Sequence, residues 1–252
     1  MKRSIRAGAI CALGGLLAAC GGGGGDSNSG PAPGQPPAGT TTYTPGTPVV
    51  GATDVFKITS VDDSNNVIVV GYTQQVQSVS GAHSYVITQV DPSNDTQVLN
   101  GIDYHFNSST LTFTDGSEAS LSDTNESGAV QNCTFTNQSG GHPSPWWVGQ
   151  SFTLATQESC TPGDAYTLTQ NGTVVALEQV TVPAGTFSAL RLQTTETFTE
   201  NGQNITEQVT HWVDPAHYLF TIKTSIVFSR TGNVPAHYVT SRTTELQSRS
   251  GG

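Results

Sequence analysis

Apolar and polar residues alternate along much of the C-terminal half of the chain. Tyr218, Phe220, Ile222, Ile226 and Phe228 share one parity, with Thr221, Lys223 and Ser225 on the other. This is the period of a half-buried antiparallel strand. Val174, Ala176, Val180 and Val182 repeat it, Leu190 and Leu192 lead towards Phe198, and Ile205, Val209 and Val213 follow. Asn171-Gly172 and Asn201-Gly202 fall between such runs, and Asn-Gly supplies the positive φ values of a type I′ hairpin turn. Val182-Pro183-Ala184-Gly185 reads as a further tight turn, with Pro fixing φ at the first corner and Gly free to take the left-handed region. Upstream, strands are expected at 55–61, 67–75, 84–90, 104–106, 111–113 and 130–135, and 239–246 is expected to close the sheet. No segment keeps a 3.6-residue apolar period over three turns. The pattern therefore predicts an all-β, mainly antiparallel domain, a curled sheet or a half-open barrel or sandwich, with little helix.

The first 48 residues follow neither period. Lys2, Arg3 and Arg6 precede an apolar run of small and aliphatic residues from Ala7 to Ala19, ending in Leu17-Ala18-Ala19-Cys20. A run this short does not span the roughly 30 Å of a bilayer core as a permanent helix. The arrangement resembles a bacterial lipoprotein precursor. That resemblance implies cleavage before Cys20, a diacylglycerol on its thiol and acylation of the new amino terminus, which together give stable anchoring without a membrane-spanning segment. Gly21 stands where an aspartate in such lipoproteins often signals inner-membrane retention, so the resemblance implies the outer membrane, at the periplasmic face or the cell surface. Residues 21–48, rich in Gly, Pro, Ser and Thr, read as a tether that cannot bury enough surface to offset its ordering entropy. The chain thus divides into a signal at 1–19, a lipidated tether at 20–48, and a β domain at 49–249 that is one unit or two halves meeting near 130.

Charge narrows the partners. The chain has 9 Lys and Arg against 19 Asp and Glu. Loss of residues 1–19 leaves six basic residues, Lys57, Arg191, Lys223, Arg230, Arg242 and Arg249, and a formal charge of −13. Phosphate contacts need clustered cations, so nucleic acid is excluded as an expected partner. Of the four cysteines, Cys11 leaves with the signal and Cys20 is the lipidation site. Cys133 and Cys160 remain as an even pair in an oxidising compartment, and a disulfide between them is expected.

Within the domain, Val148-Gly149-Gln150-Ser151-Phe152, then Val180-Thr181-Val182-Pro183-Ala184-Gly185-Thr186-Phe187 with Leu190, then Trp212-Val213-Asp214-Pro215, resemble a loose group of uncharacterised bacterial envelope proteins. They share a strand start, a VPAGTF hairpin and a late strand end. The resemblance covers roughly residues 146–225 and implies a curled antiparallel sheet, somewhat like the half-open barrels of lipoprotein carriers. It implies no activity.

Candidate chemistry is sparse. Glu178, Glu207 and His211 share strand faces with apolar neighbours, and Glu196 lies on the parity of Leu190 and Leu192, so these groups could line a cavity and serve general acid and base roles. Buried pairing in a sheet, or a position near the sheet rim, explains them as well and is the preferred reading. Trp146 and Trp147 follow two prolines; on an extended chain adjacent residues face opposite ways, so one can anchor the core while the other meets solvent or a ligand, although anchoring of both in the core is the preferred reading. His211 and His217 lack a third ligand type nearby, and no metal or other cofactor is expected. No GxSxG elbow is present. The expected role is a non-catalytic envelope lipoprotein, structural or holding an apolar or glycan ligand. The alternative is a hydrolase of cell-wall or surface polymers acting through paired carboxylates.

Overall fold

The computed structural model describes residues 3–4 and 35–251, except 45, 47–48, 82–83, 91–97, 100–101, 104–107, 115–116, 125–129, 141–144, 162, 164, 201, 218–220 and 236. Cys20, most of the tether, the expected strand at 104–106, and Tyr218 and Phe220 lie outside the described residues.

Twelve strands carry the domain: β1 Thr53–Asp62, β2 Val67–Gly81, β3 Ser84–Val90, β4 Ser108–Thr114, β5 Ser117–Thr124 and β6 Val130–Gly140. The second six are β7 Ser151–Thr161, β8 Ala165–Val182, β9 Gly185–Glu200, β10 Gln203–Val213, β11 Thr221–Gly232 and β12 Val239–Ser250. Each pairs antiparallel with the next in sequence, and β12 pairs with β1, from Val239 opposite Asp62 to Ser250 opposite Thr53. The all-β, antiparallel expectation is what the structure shows. The ladder goes further than a curled sheet, because it returns to its own first strand as an up-and-down barrel, an arrangement that leaves no open edge. One ring draws on both halves of the domain.

The ring is packed across its middle. Alternation along β1, with Asp54, Phe56, Ile58, Ser60 and Asp62 buried and their neighbours part-exposed, defines the inner face. One apolar cluster joins Val76 and Val79 of β2 to Cys133 of β6, Phe152 of β7, Val174 of β8, Leu190 and Leu192 of β9 and Val213 of β10. β2 and β8 are half a ring apart, so their sharing a cluster means that opposite walls approach each other, as in a sandwich. Each fully buried aliphatic or aromatic side chain contributes about 1.5–3 kcal/mol relative to exposure.

The β8–β9 hairpin helps close this interior. A bulge between Val174 and Ala176 shifts its register, and the consecutive residues Ala189 and Leu190 are both fully buried, marking the change from one buried face to the other. Beyond the bulge, Val180, Val182 and Ala189 form a second cluster with Phe56, Tyr72, Ile222 and Leu246 of β1, β2, β11 and β12. The backbone N–H of Ala184 donates to the Leu246 carbonyl at 3.3 Å. Val182 pairs with Gly185 across the two-residue Pro183-Ala184 turn, as expected from that tetrapeptide.

The two Asn-Gly pairs part ways. Gly202 takes φ +76° between β9 and β10, where Glu200 pairs with Gln203 around the expected turn. Asn171-Gly172 is no turn: both residues lie inside β8, paired with Thr153 and Phe152. A Cβ at Gly172 would lie 2.2 Å from the Phe152 ring, so glycine serves there to seat an aromatic ring against the strand. β5, whose sequence SEASLSDT has only Ala119 and Leu121 as apolar residues, escaped the periodicity reading altogether.

Candidate functional site in the barrel interior

The inner face of β9 carries Leu190, Leu192, Thr194 and Glu196, and that of β10 carries Ile205, Glu207, Val209, His211 and Val213. Period two places the polar members of both rows inside the ring with the apolar ones. Glu196 and Glu207 are direct cross-strand partners, and only 1% and 3% of their surfaces are exposed. Glu196 Oε1 accepts hydrogen bonds from Gln170 Nε2 at 2.7 Å and Thr194 Oγ1 at 3.4 Å. Glu207 Oε2 has no hydrogen-bond partner. Burial pushes Glu196 up to about 7, against the lowering effect of its two donors. Burial and then the charge of Glu196 push Glu207 up to about 8, partly offset by Arg242 and Arg230.

Two arginines flank this pair. Arg242 of β12 and Arg230 of β11 lie over the Phe228 ring at 5.8 and 5.7 Å from its centroid. Arg242 Nε donates to Ser60 Oγ at 3.4 Å, and Arg230 Nη1 to Gln203 Oε1 at 3.3 Å.

The other sequence candidates are placed differently. His211 is fully buried, with Nδ1 3.3 Å from Thr224 Oγ1. It stands four residue steps along the strand from Glu207, about 13 Å, so the two do not form a hydrogen-bonded acid and base couple. Glu178 does not join Glu207. It lies beyond the bulge, half exposed, where Trp212 Nε1–H donates to its Oε1 at 2.7 Å and Arg191 Nε approaches Oε2 at 3.3 Å. Trp212 stands between the inward-facing His211 and Val213, and so projects from the opposite side of β10.

Neither tryptophan of the pair meets solvent or offers a stacking face; both are anchored in the core, the reading preferred from the sequence, and the alternative of one solvent-facing indole does not hold. Trp146 is bridged to Tyr43 through both backbone hydrogen bonds, each 2.8 Å, and its ring meets Phe152 edge to face at 5.8 Å. The chain turns immediately afterwards: the Gln150 N–H donates to the Trp147 carbonyl and Gln150 Oε1 accepts from the Trp147 N–H, each at 3.2 Å. Strict alternation fails at a turn, and both indoles are buried. Tyr43 shows too that the stretch expected as tether touches the domain before residue 49.

The expected Cys133–Cys160 disulfide is present, joining directly paired residues of β6 and β7. Glu158 lies beside it, with ligand atoms of the three residues within 4.8 Å. Disulfide sulfurs are not the thiolates that a metal site requires, and Glu158 already accepts a hydrogen bond from the Tyr166 hydroxyl.

Sequence reasoning missed a charged cluster at one end of the ring. Arg249 of β12 grips both oxygens of the fully buried Asp54, Nε to Oδ1 at 2.9 Å and Nη2 to Oδ2 at 2.8 Å, and reaches Asp214 Oδ2 at 3.5 Å. Asp214 also holds His217 Nδ1 at 2.7 Å. Burial raises the Asp54 carboxyl above its ordinary range despite the arginine. The signal was available, since Asp54 occupies the apolar parity of Phe56 and Ile58.

All six basic residues of the domain are engaged by partners on other strands: Lys57 and Lys223 with Glu245, Arg191 with Glu178, Arg230 with Gln203, Arg242 with Ser60, and Arg249 with Asp54. They make no basic patch.

No protein family and no curated protein sequence matches the chain. Two solved structures resemble it in fold. One is a Bacteroides fragilis chain assigned as an exported protein with a YmcC-like fold, at 12% identity and a TM-score of 0.46. The other is a Parabacteroides distasonis chain assigned as a lipoprotein, at 13% identity and a TM-score of 0.47. Each alignment covers 83% of this chain and 99% of the other. Likeness at this level extends to neither activity nor partner.

Proposed function

We propose that the chain is an envelope lipoprotein, anchored by lipid at Cys20 in the outer membrane, whose barrel is a non-catalytic structural domain that meets its partners with its outer wall. The observation that carries this reading is the packed interior, in which opposite walls share one apolar cluster and the paired carboxylates are sealed. A glycosidase-type mechanism needs two carboxyl groups flanking a substrate in an open cleft; Glu196 and Glu207 are cross-strand partners buried from solvent, which favours the non-catalytic reading.

The outer wall speaks to the anchor. Outward positions on β9 to β12 are mostly hydroxyl and amide side chains, Thr195, Thr197, Thr199, Asn204, Thr206, Gln208, Ser225, Ser229, Ser241 and Thr243 among them. Several bond each other, as Thr195 does Gln208 at 3.0 Å and Thr199 does Asn204 at 2.9 Å. A membrane-spanning barrel presents an apolar band outward, so this wall faces water and the attachment falls to the N-terminal lipid. The test is membrane fractionation of cells making the wild-type chain or Cys20→Ser. Wild type in the outer-membrane fraction and release of the folded variant support the reading; equal membrane retention of both overturns it.

A further inference from the structure

We propose that Glu196 and Glu207 keep at least one proton between them inside the folded barrel at neutral pH, and that this pair makes the barrel a pH-sensitive structure, firm in mild acid and loosened above neutrality. The proposal rests on placement. The two carboxyl groups are cross-strand partners on the inner face, both sealed from solvent. Two buried carboxylates that face each other cannot both ionise without a large electrostatic cost.

The surroundings supply donors to one member and leave the other short. From β8, Gln170 donates to Glu196, and Thr194 does so from β9. Glu207 is faced by Glu196 from β9, by Arg230 and Phe228 from β11 and by Arg242 from β12. Arg230 is shared with Glu200 and lies over Tyr238, and Arg242 is bonded to Ser60. His211, on the same inner face of β10, contacts Thr224. Glu207 Oε2, buried and without a hydrogen-bond partner, is the atom that a proton best serves: as a hydroxyl it carries no charge and can donate to Glu196.

The direction of the pH effect follows. Both groups bind protons more tightly in the folded barrel than in the unfolded chain, whose glutamates titrate near 4.5. The folded state therefore retains protons that the unfolded state has lost, and stability falls as pH rises from about 4.5 towards 8.

The experiment is urea unfolding of the mature chain from about pH 5.5 to 8.5, for wild type, Glu207→Gln and the double variant Glu196→Gln with Glu207→Gln. The expected result is a wild-type midpoint that drops with pH, a shallower drop in the single variant, and a nearly level midpoint in the double variant, with the variants the more stable at the alkaline end. A wild-type midpoint that does not fall, or an equal fall in the double variant, overturns the proposal. Infrared spectroscopy of the wild type decides the matter independently of whether the variants fold. A protonated carboxyl band that persists at neutral pH and disappears towards pH 9 supports the retained proton, and its absence at neutrality overturns it.

Discussion

Removing the Cys133–Cys160 disulfide should cost stability chiefly through the unfolded chain. In the folded barrel these residues already face each other on β6 and β7, which are paired on both sides of the bridge, from Asn132 opposite Thr161 to Gly140 opposite Leu154. The bond adds little to that alignment. In the unfolded chain it closes a loop of 27 residues, and on the chain-entropy relation this constraint is worth about 3.5 kcal/mol at 25 °C. Replacing both cysteines by alanine also takes two buried sulfurs from the cluster that contains Trp146 and Phe152, which adds about 1 kcal/mol. For a domain of this size the sum corresponds to a melting temperature lower by roughly 10 °C. The assay is urea unfolding followed by tryptophan fluorescence, since Trp146 reports on the same cluster. Oxidised wild type, reduced wild type and Cys133→Ala with Cys160→Ala are compared, and both cross-link-free forms should unfold at clearly lower urea with the native spectrum retained. Loss of less than about 1 kcal/mol would refute the reasoning, because the unfolded chain would then have had little loop entropy to lose.

Other substitutions test separate parts of the fold. Gly172→Ala should destabilise by about 1–3 kcal/mol through overpacking, and that cost should largely vanish in a Phe152→Ala background, a coupling that thermal unfolding of the four-member cycle measures. Arg249→Ala leaves the buried Asp54 carboxylate unpaired and should cost about 3–5 kcal/mol; adding Asp54→Asn should recover much of it, and failure to recover would show that the arginine stem, not the charge, matters. Gly202→Val, at φ +76° beside Asn233, should lower the unfolding midpoint, whereas Thr197→Val on the exposed wall of β9, the strand leading into that turn, should leave it nearly unchanged.

Much of this architecture was readable from parity. The inner rows of β10 and β11 follow from Ile205, Val209 and Val213 and from Ile222, Ile226 and Phe228, and the same rule put Glu196, Glu207 and His211 on the inner side. It failed where the backbone departs from a regular strand. The β8 bulge carried Glu178 away from Glu207, and the turn at 147–150, where strict alternation fails, is what lets two adjacent indoles both be buried. Asn171-Gly172 was misread because the reason for glycine there, the Phe152 ring, lies on a neighbouring strand. β5 was silent because backbone pairing on both sides can hold a strand whose side chains say little. The partners of the inner acids, Arg230 on β11 and Arg242 on β12, are set by how the strands meet around the ring, which local periodicity does not encode.

The most direct test of the account is the intact mass and N-terminal peptide mass of the protein purified from native membranes. The account predicts a chain that begins at Cys20, carries a diacylglycerol on the thiol and an acyl group on the amine, and lacks two further hydrogens because Cys133 and Cys160 are joined. A chain that retains residues 1–19, or begins elsewhere with Cys20 unmodified, would contradict it.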